Sequence, residues 1–118
     1  MLRTPIVHNL VLVKELIMPN VYIVNRGGHD FSPATHYGKL VYLSEGLFSP
    51  FSVDRMYREF AEKLKNSTPE DYILSTGLSI MNSIACACFA HKHNGRLNLL
   101  IYRNKKYILR TLMLGELL

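Results

Sequence analysis

Two glycine-bearing turns, each following a predicted strand, carry the residues whose chemistry could act together. The first turn covers residues 25–30 and the second covers residues 75–79. In an open α/β sheet, ligands bind in the crevice outside the carboxyl ends of the strands. We therefore expect both turns to open into one crevice. The polar side chains that they would bring there are Arg26, His29, Asp30, Ser75, Thr76 and Ser79.

The first turn has the composition of an anion-binding loop. Gly27 and Gly28 allow positive φ angles, so the backbone could form a nest that cradles an anion. Arg26 could pair with a phosphate through two hydrogen bonds. His29 could act as a general acid or base if Asp30 orients its ring, although adjacent residues in an extended turn usually point apart. The alternative is a flexible turn in which Asp30 caps the short helix that follows.

The second turn leads from a strand into a helix. A helix N-terminus has unpaired N–H groups and a partial positive charge, so it can hold a phosphate or a carboxylate. Gly77 would permit close backbone approach, and Ser75, Thr76 and Ser79 would add hydroxyl donors. The alternative is that Thr76 or Ser79 caps the helix and binds nothing. The turn completes neither a P-loop nor a dinucleotide fingerprint. Asn82, one turn into the helix, could also reach a ligand.

The order of strands and helices predicts the fold class. Alternating strands and helices favour a parallel sheet with right-handed crossovers. We expect a small Rossmann-like three-layer sandwich with strand order 2-1-3-4-5, the last strand being antiparallel at the edge. Glu45, just after the second strand, would lie near the crevice. The predicted strands are 21–25, 39–44, 72–75, 96–102 and 106–112, and the predicted helices are 33–37, 52–66 and 78–93.

The length of 118 residues fits one domain. Residues 18–118 are predicted to form a single α/β domain. Residues 1–17 are open to two interpretations. The apolar stretch at 6–13 could be an edge strand, or the whole segment could be an extension that is not part of the core.

The net charge of the chain indicates the kind of partner that it would attract. The formal net charge is +5, from 14 Lys and Arg against 9 Asp and Glu, which favours encounters with polyanions or phosphorylated ligands. The alternative is a merely basic, soluble surface. Tyrosines interleaved with basic residues could stack on single-stranded nucleic acid, although core packing is the commoner use of tyrosine. The densest basic stretch is Arg103, Lys105, Lys106 and Arg110, on or near a terminal hairpin.

Several classes of function are not indicated. Cys86 and Cys88 diverge on a helix, as do His91 and His93, so neither pair forms a metal site, and no cofactor is expected. Buried free thiols in a reducing compartment are the expected use of the cysteines. No apolar run approaches ~18 residues and no secretory signal is evident, so we expect a cytoplasmic protein with no membrane partner. Asn98, within a strand, is expected to make a buried structural hydrogen bond.

Three stretches carry a resemblance to a known group of proteins. They are NRGGHDFS at residues 25–32, KLVYLSEG at 39–46 and RLNLLI at 96–101. From residue 21 to residue 111 the chain resembles small uncharacterised α/β proteins encoded by phages and prophages. The resemblance implies a viral or mobile-element setting and nothing about catalysis.

Two hypotheses about function follow. In the first, the chain is a binding module for a nucleotide or another phosphorylated small molecule. Its ligand-binding residues would be Arg26, Gly27, Gly28, His29, Asp30, Glu45, Ser75, Thr76, Gly77 and Ser79. In the second, it is a protein- or nucleic-acid-interacting accessory protein that uses the basic hairpin. An enzyme comes third, because a hydrolase would need His29, Asp30 or Glu45 to converge on one substrate. The exposed sheet edge leaves a homodimer open.

Overall fold

A computed structural model of the chain describes residues 18–116. The elements in chain order are β1 (Asn20–Ile23), a 3-10 helix (Ser32–His36), β2 (Lys39–Tyr42), α1 (Val53–Leu64), β3 (Tyr72–Leu74), α2 (Ser79–Lys92), β4 (Arg96–Arg103) and β5 (Lys106–Met113). The two interpretations of residues 1–17 lie outside the described residues. The division into that segment and one domain from residue 18 therefore stays a prediction.

The five strands form one mixed sheet in the order β2-β1-β3-β4-β5. The pairs β1–β2, β1–β3 and β3–β4 are parallel, and β4–β5 is antiparallel. The predicted strand order and the antiparallel C-terminal hairpin are confirmed. The carboxyl ends of β1 to β4 and the start of β5 consequently lie at the same edge of the sheet.

The helix α1 buries one narrow face. Met56, Phe60 and Leu64 recur every four residues and are fully or almost fully buried, because residues at this spacing share one face of a helix. Tyr57, one residue after Met56, is 58% exposed. The buried stripe therefore does not extend to Tyr57.

One face of the sheet is covered by both α-helices. Phe60 of α1 and Phe89 of α2 pack in one buried cluster with Tyr22, Ile73 and Leu97 of the sheet. Right-handed crossovers account for this arrangement. The connections β2–β3 and β3–β4 run in the same direction across the sheet, so their helices lie on the same side.

The opposite face has a thinner cover. Ile23, Leu74 and Leu100 of the sheet pack there with Phe31 and Ala34, which belong to the β1–β2 connection. That connection runs the other way across the sheet and holds only the five-residue 3-10 helix. The fold is thus an α/β fold with two helices on one face, and a Rossmann-like three-layer sandwich is not confirmed.

The hairpin between β4 and β5 has a tight two-residue turn. Asn104 and Lys105 both take positive φ angles, of 52° and 64°, as a type I′ hairpin turn requires. The strand β5 is an edge of the sheet and exposes Leu109 and Leu112. A homodimer through this edge stays a prediction. Within residues 18–116, no helix has the length and apolar character needed to cross a membrane.

Candidate functional site

A cleft opens at the carboxyl edge of the sheet, on the side of the 3-10 helix. Its volume is about 260 Å³. Three parts of the chain form it: the β1–β2 connection, the end of β3 and the β4–β5 hairpin. We call it the aromatic cleft, and it is lined by His29, Phe31, Leu74, Ser75, Thr76, Tyr102 and Tyr107.

Strand pairing positions two walls of the aromatic cleft. Leu74 ends β3, and its carbonyl accepts a hydrogen bond from Val24 N–H at 3.2 Å. This bond fixes the end of β3 beside the end of β1. Tyr102 and Tyr107 are directly opposite each other on β4 and β5. Because β5 is antiparallel, this pair lies at the same edge as the end of β3.

Four aromatic rings form a continuous row in the aromatic cleft. The ring of His29 contacts Phe31 on one side and Tyr102 on the other, each edge-to-face with centroids 5.2 Å apart. Tyr102 in turn contacts Tyr107, also at 5.2 Å. Phe31 is buried, whereas His29 is exposed and Tyr102 is 48% exposed. The row therefore has a fixed base and an accessible rim.

The hydroxyl of Tyr107 is buried without a partner. Tyr107 is only 7% exposed, and its Oη has no hydrogen-bond partner among the described residues. Burial raises the pKa of this phenol, and Tyr102 and Asp30 nearby raise it further, so the hydroxyl stays protonated and can both donate and accept. A buried polar group without a partner costs free energy. Such a group at a cleft is suited to a polar atom of a ligand.

Ser75 and Thr76 line the aromatic cleft, at the edge of the sheet where the sequence predicted them. The turn that joins them to α2 is held by the side chain of Asn82. The N–H of Thr76 donates to Oδ1 of Asn82 at 2.9 Å, and Nδ2 of Asn82 donates to Leu78 O at 2.9 Å. Asn82 therefore satisfies two backbone groups of this turn. The alternative interpretation, in which Thr76 or Ser79 caps the helix, is wrong, because the N-cap of α2 is Leu78 and no side chain caps it. Within the described residues, neither hydroxyl of Ser75 and Thr76 makes a hydrogen bond.

Gly77 and Ser79 belong to the turn and the first residue of α2, and they do not line the aromatic cleft. Gly77 has φ +87°, and a Cβ there would lie 3.0 Å from Cβ of Asn25. The left-handed conformation favours glycine, and a Cβ would also require Asn25 to shift by a few tenths of an ångström. No ligand is needed to explain a glycine at this position.

Arg26 and Glu45 lie on the β2 side of the edge and pair with each other. Their backbones form an isolated parallel bridge, and Nη1 of Arg26 is 3.7 Å from Oε1 of Glu45. The guanidinium also lies over the ring of Tyr42, 5.0 Å from its centroid. Glu45 borders a different pocket of about 380 Å³, near the start of α1. The predicted set is thus divided: His29, Ser75 and Thr76 share the aromatic cleft, and Arg26 and Glu45 do not line it.

The other residues of the first turn depart from the anion-nest interpretation. Neither Gly27 nor Gly28 takes a positive φ, so the expected left-handed backbone at these positions is wrong. Oδ1 of Asp30 accepts the N–H of Ser32 at 2.9 Å, and Oδ2 accepts its hydroxyl at 3.1 Å. The backbone hydrogen bond, followed by the hydroxyl one, lowers the pKa of Asp30. Asp30 therefore binds the first residue of the 3-10 helix from the position before its N-cap, which is Phe31. This is close to the alternative that the sequence had left open, in which Asp30 caps this helix.

Basic residues lie at the tip of the β4–β5 hairpin. Arg103 and Lys106 are directly opposite each other on β4 and β5, one step beyond the Tyr102–Tyr107 pair. Because successive side chains of a strand point to opposite faces of the sheet, this basic pair lies on the face opposite the aromatic cleft. Lys105, in the turn between them, is exposed, as they are. Across residues 18–116, none of the three forms an ion pair.

The described part of the chain has no group of three His, Cys, Asp or Glu side chains that could hold a metal ion. Cys86 and Cys88 are free thiols, and partial burial raises the pKa of each. A raised thiol pKa disfavours the reactive thiolate at neutral pH. His93 makes a contact with Ser67 far from the cleft.

Sequence reasoning missed four of the seven residues that line the aromatic cleft: Phe31, Leu74, Tyr102 and Tyr107. A signal for the two tyrosines was present in the sequence. The turn at Asn104 and Lys105 sets the register of the hairpin, and this register puts residue 102 opposite residue 107. Applying that register to the tyrosines would have brought both to the predicted crevice.

Comparison with curated proteins gives no match, and neither does comparison with solved structures. A protein-family model described as Phage Pam3 gp32-like protein matches residues 19–112. The match spans the whole sheet up to β5 and includes all three stretches that resemble phage and prophage proteins, so that resemblance is confirmed. The chain belongs to the Phage Pam3 gp32-like protein family.

Proposed function

We propose that the chain binds a phosphorylated small molecule with a planar ring, a nucleotide being the best fit, in the aromatic cleft. The observation that carries this proposal is the Tyr107 hydroxyl, buried without a partner in the wall of the cleft. A polar atom of a bound ligand would satisfy it. The cost of leaving it unpaired in the free protein is then offset on binding.

The aromatic row supports a planar ligand. His29 and Tyr102 are both exposed at the rim, and base–aromatic stacking contributes roughly 1–3 kcal/mol per base. The hydroxyls of Ser75 and Thr76 offer hydrogen bonds to the edge of the same ring or to its sugar. These contacts combine an apolar surface with a few convergent polar groups, as small-molecule sites do.

The size of the cleft supports a ligand that extends beyond it. Its 260 Å³ is just below the roughly 300–1,000 Å³ of typical ligand pockets. A base would fill it, and the phosphate would lie outside it, towards the solvent.

The strand order supports the location. In sheets of the order 2-1-3-4-5 ligands bind at the carboxyl edge, where the connections of neighbouring strands diverge to opposite faces. The connections after β1 and β3 diverge in this way, and the aromatic cleft opens beside them. We propose that the protein resembles a Rossmann-like fold in the location of its ligand site.

The test is isothermal titration calorimetry with mononucleotides, nucleosides and inorganic phosphate. We expect nucleotides to bind, nucleosides to bind more weakly and phosphate alone to bind least. Tyr107→Phe should weaken nucleotide binding by about tenfold, since one hydrogen bond of about 1.4 kcal/mol is lost. The matched control is Tyr57→Phe on α1, which should bind as the unmodified chain does. Absence of heat with every nucleotide would overturn the proposal.

A further inference from the structure

We infer that two copies of the chain form a dimer in which their β5 edges pair antiparallel, with a two-fold axis at Thr111. This dimer goes beyond the proposed function of the aromatic cleft and does not depend on it. The observations that carry it are the direction of the backbone groups of β5 and the apolar side chains on both faces of its exposed end.

Alternate residues of β5 turn their backbone groups away from β4. The N–H of Leu114 donates to the carbonyl of Gly95 at 2.7 Å, one step beyond the last pair of the β4–β5 ladder. Hydrogen-bonded and non-hydrogen-bonded pairs alternate along an antiparallel ladder, so the even-numbered residues of β5 are bonded to β4. The N–H and carbonyl groups of residues 107, 109, 111 and 113 therefore point to the free edge.

Two side chains confirm this direction. The carbonyl of Tyr107 accepts a half-buried hydrogen bond from Oη of Tyr37 at 2.9 Å, and the carbonyl of Leu109 accepts an exposed one from Nη1 of Arg110 at 2.9 Å. A backbone N–H can replace the exposed guanidinium more easily than the half-buried phenol. Within residues 18–116, no strand pairs with this edge, which is thus available for pairing from residue 109 to residue 113.

The same part of β5 is apolar and exposed on both faces. Leu109 and Met113 are 37% and 45% exposed on the face of the aromatic cleft, and Leu112 is 46% exposed on the face of the α-helices, since side chains alternate along a strand. An exposed apolar edge is a template for pairing with another strand. The occupant that fits is a strand with apolar side chains on both faces, which a second copy of β5 provides.

The backbone directions restrict the register of two such strands. Residues 109, 111 and 113 of one copy must face odd-numbered residues of the other, so a two-fold axis lies at a residue and not between two. An axis at Arg110 would place two arginines directly opposite each other, and like charges so placed are destabilising. It would also require the Tyr107 carbonyl, which Tyr37 already occupies. An axis at residue 112 would leave only two bonded pairs within β5.

An axis at Thr111 avoids these conflicts. Thr111 then faces the partner's Thr111, and Leu109 and Met113 face the partner's Met113 and the partner's Leu109. Each of these three pairs makes two backbone hydrogen bonds, and threonine pairs and apolar pairs stabilise neighbouring strands. Arg110 lies opposite the partner's Leu112, which its aliphatic stem can cover while the guanidinium stays in water.

Charge complementarity at the ends of the pairing supports a second copy as the occupant. Continued past β5, the register brings the partner's turn at residues 114–116 towards Lys106. This turn carries Glu116, and both residues are exposed. The two-fold axis repeats the contact at the other end, so opposite charges meet twice while the arginines at position 110 stay apart.

The experiment measures the mass of the full chain by sedimentation equilibrium at micromolar to millimolar concentrations. We expect a dimer of twice the chain mass of 13.5 kDa. Thr111→Pro should abolish it, because the lost N–H points away from β4, where an edge strand tolerates proline, and is needed at the axis. The matched control is Thr111→Val, which loses the same hydroxyl, keeps the N–H and should stay dimeric.

A charge pair tests the register without a change to the backbone. Thr111→Lys and Thr111→Glu, each alone, place like charges opposite each other and should weaken dimerisation by about fivefold. An equimolar mixture of the two should dimerise more tightly than either variant, because opposite charges then meet at the axis. Ser83→Lys and Ser83→Glu, on the exposed surface of α2, are the controls and should dimerise as the unmodified chain does.

The contrary outcomes are distinct. A monomer at every concentration would overturn the inference and leave the edge to another occupant, such as the apolar stretch at residues 6–13. A dimer that folded Thr111→Pro retains would place the interface elsewhere and overturn it too. If Thr111→Pro does not fold, the charge pair decides, and a mixture no tighter than its components would overturn the axis at Thr111. Nucleotide titrations test the aromatic cleft separately, because Thr111 does not line it.

Discussion

The hydroxyl oxygen of Ser67 lies 2.8 Å from Nε2 of His93, and both side chains are buried at the amino edge of the sheet. The same hydroxyl lies 2.6 Å from the carbonyl oxygen of Leu64. A serine hydroxyl has one proton, and the carbonyl can only accept, so that proton goes to Leu64. His93 is therefore the donor to Ser67 through Nε2–H. The pair is structural, because a histidine that donates to a serine cannot act as its base.

The buried His93 makes stability depend on pH. Burial lowers the pKa of His93, and Lys92 reinforces this, against smaller opposing effects of Asp71 and Glu70. The unfolded chain, with a histidine pKa of about 6.5, then binds more protons than the folded chain. Stability is complete above that value and falls as the pH drops through it towards the lower folded pKa. Urea unfolding at pH about 7.5 and about 5.5 measures this loss.

The matched variants for this prediction are His93→Gln and His36→Gln. His93→Gln should reduce the loss of stability between the two pH values, whereas His36→Gln, on the exposed 3-10 helix, should leave it as in the unmodified chain. Equal pH dependence in all three proteins would show that His93 is not the group responsible.

Asn98 should be the most costly polar residue to replace. Its Nδ2 donates to the carbonyls of Pro69 and Asp71 at 2.7 and 2.8 Å, and its Oδ1 accepts from the Thr111 hydroxyl at 2.9 Å. The buried structural hydrogen bond expected from the sequence is thus confirmed, and it joins β4 to the approach to β3 and to β5. Asn98→Leu leaves two carbonyls without a donor and should cost about 2–4 kcal/mol of unfolding free energy. Denaturant titration measures it.

The exposed end of the same network provides the control. Thr111→Val removes one hydrogen bond to Oδ1 of Asn98 at an exposed position, so it should cost no more than about 1 kcal/mol. If Asn98→Leu cost as little as Thr111→Val, the network would not hold β3, β4 and β5 together.

The sequence predicted what local patterns determine. The order of strands followed from the alternation of elements and from crossover handedness, and the hairpin followed from the turn at Asn104. The site was predicted only in part. The turn residues Ser75 and His29 reached the cleft, but Arg26 lies beside Glu45 because β1 and β2 are neighbours in register. Contacts between residues far apart in sequence depend on packing that no local pattern encodes.

The unpaired hydroxyl of Tyr107 should lower the unfolding free energy of the free protein. Tyr107→Phe removes a buried polar group that has no partner among the described residues, so the unfolding free energy should stay the same or rise by up to about 1 kcal/mol. Tyr37→Phe is the same chemical change with the opposite expected sign, since Oη of Tyr37 donates to the backbone carbonyl of Tyr107 at 2.9 Å. Thermal unfolding without ligand distinguishes the two variants.

A loss of stability in Tyr107→Phe comparable to that in Tyr37→Phe would contradict this account of the hydroxyl. We expect Tyr107→Phe to be at least as stable as the unmodified chain and to bind nucleotides more weakly. This combination is typical of a group that serves ligand binding at the expense of stability. A purely structural hydroxyl would lower stability when removed and leave binding unchanged.

Close backbone approach, rather than an anion nest, determines which glycines of the β1–β2 connection can be replaced. A Cβ on Gly38 would lie 2.1 Å from the carbonyl oxygen of Pro19, and that oxygen accepts the N–H of Lys39 at 2.9 Å where β1 and β2 begin to pair. Gly38→Ala should therefore cost at least about 2 kcal/mol of unfolding free energy, because the backbone at Pro19, and not a flexible side chain, must move.

A Cβ on Gly27 or Gly28 meets no atom within 4 Å, and neither residue takes a positive φ. Gly27→Ala and Gly28→Ala should stay within about 0.5 kcal/mol of the unmodified chain in denaturant titrations; a large loss in either would mean that the loop adopts the left-handed nest after all.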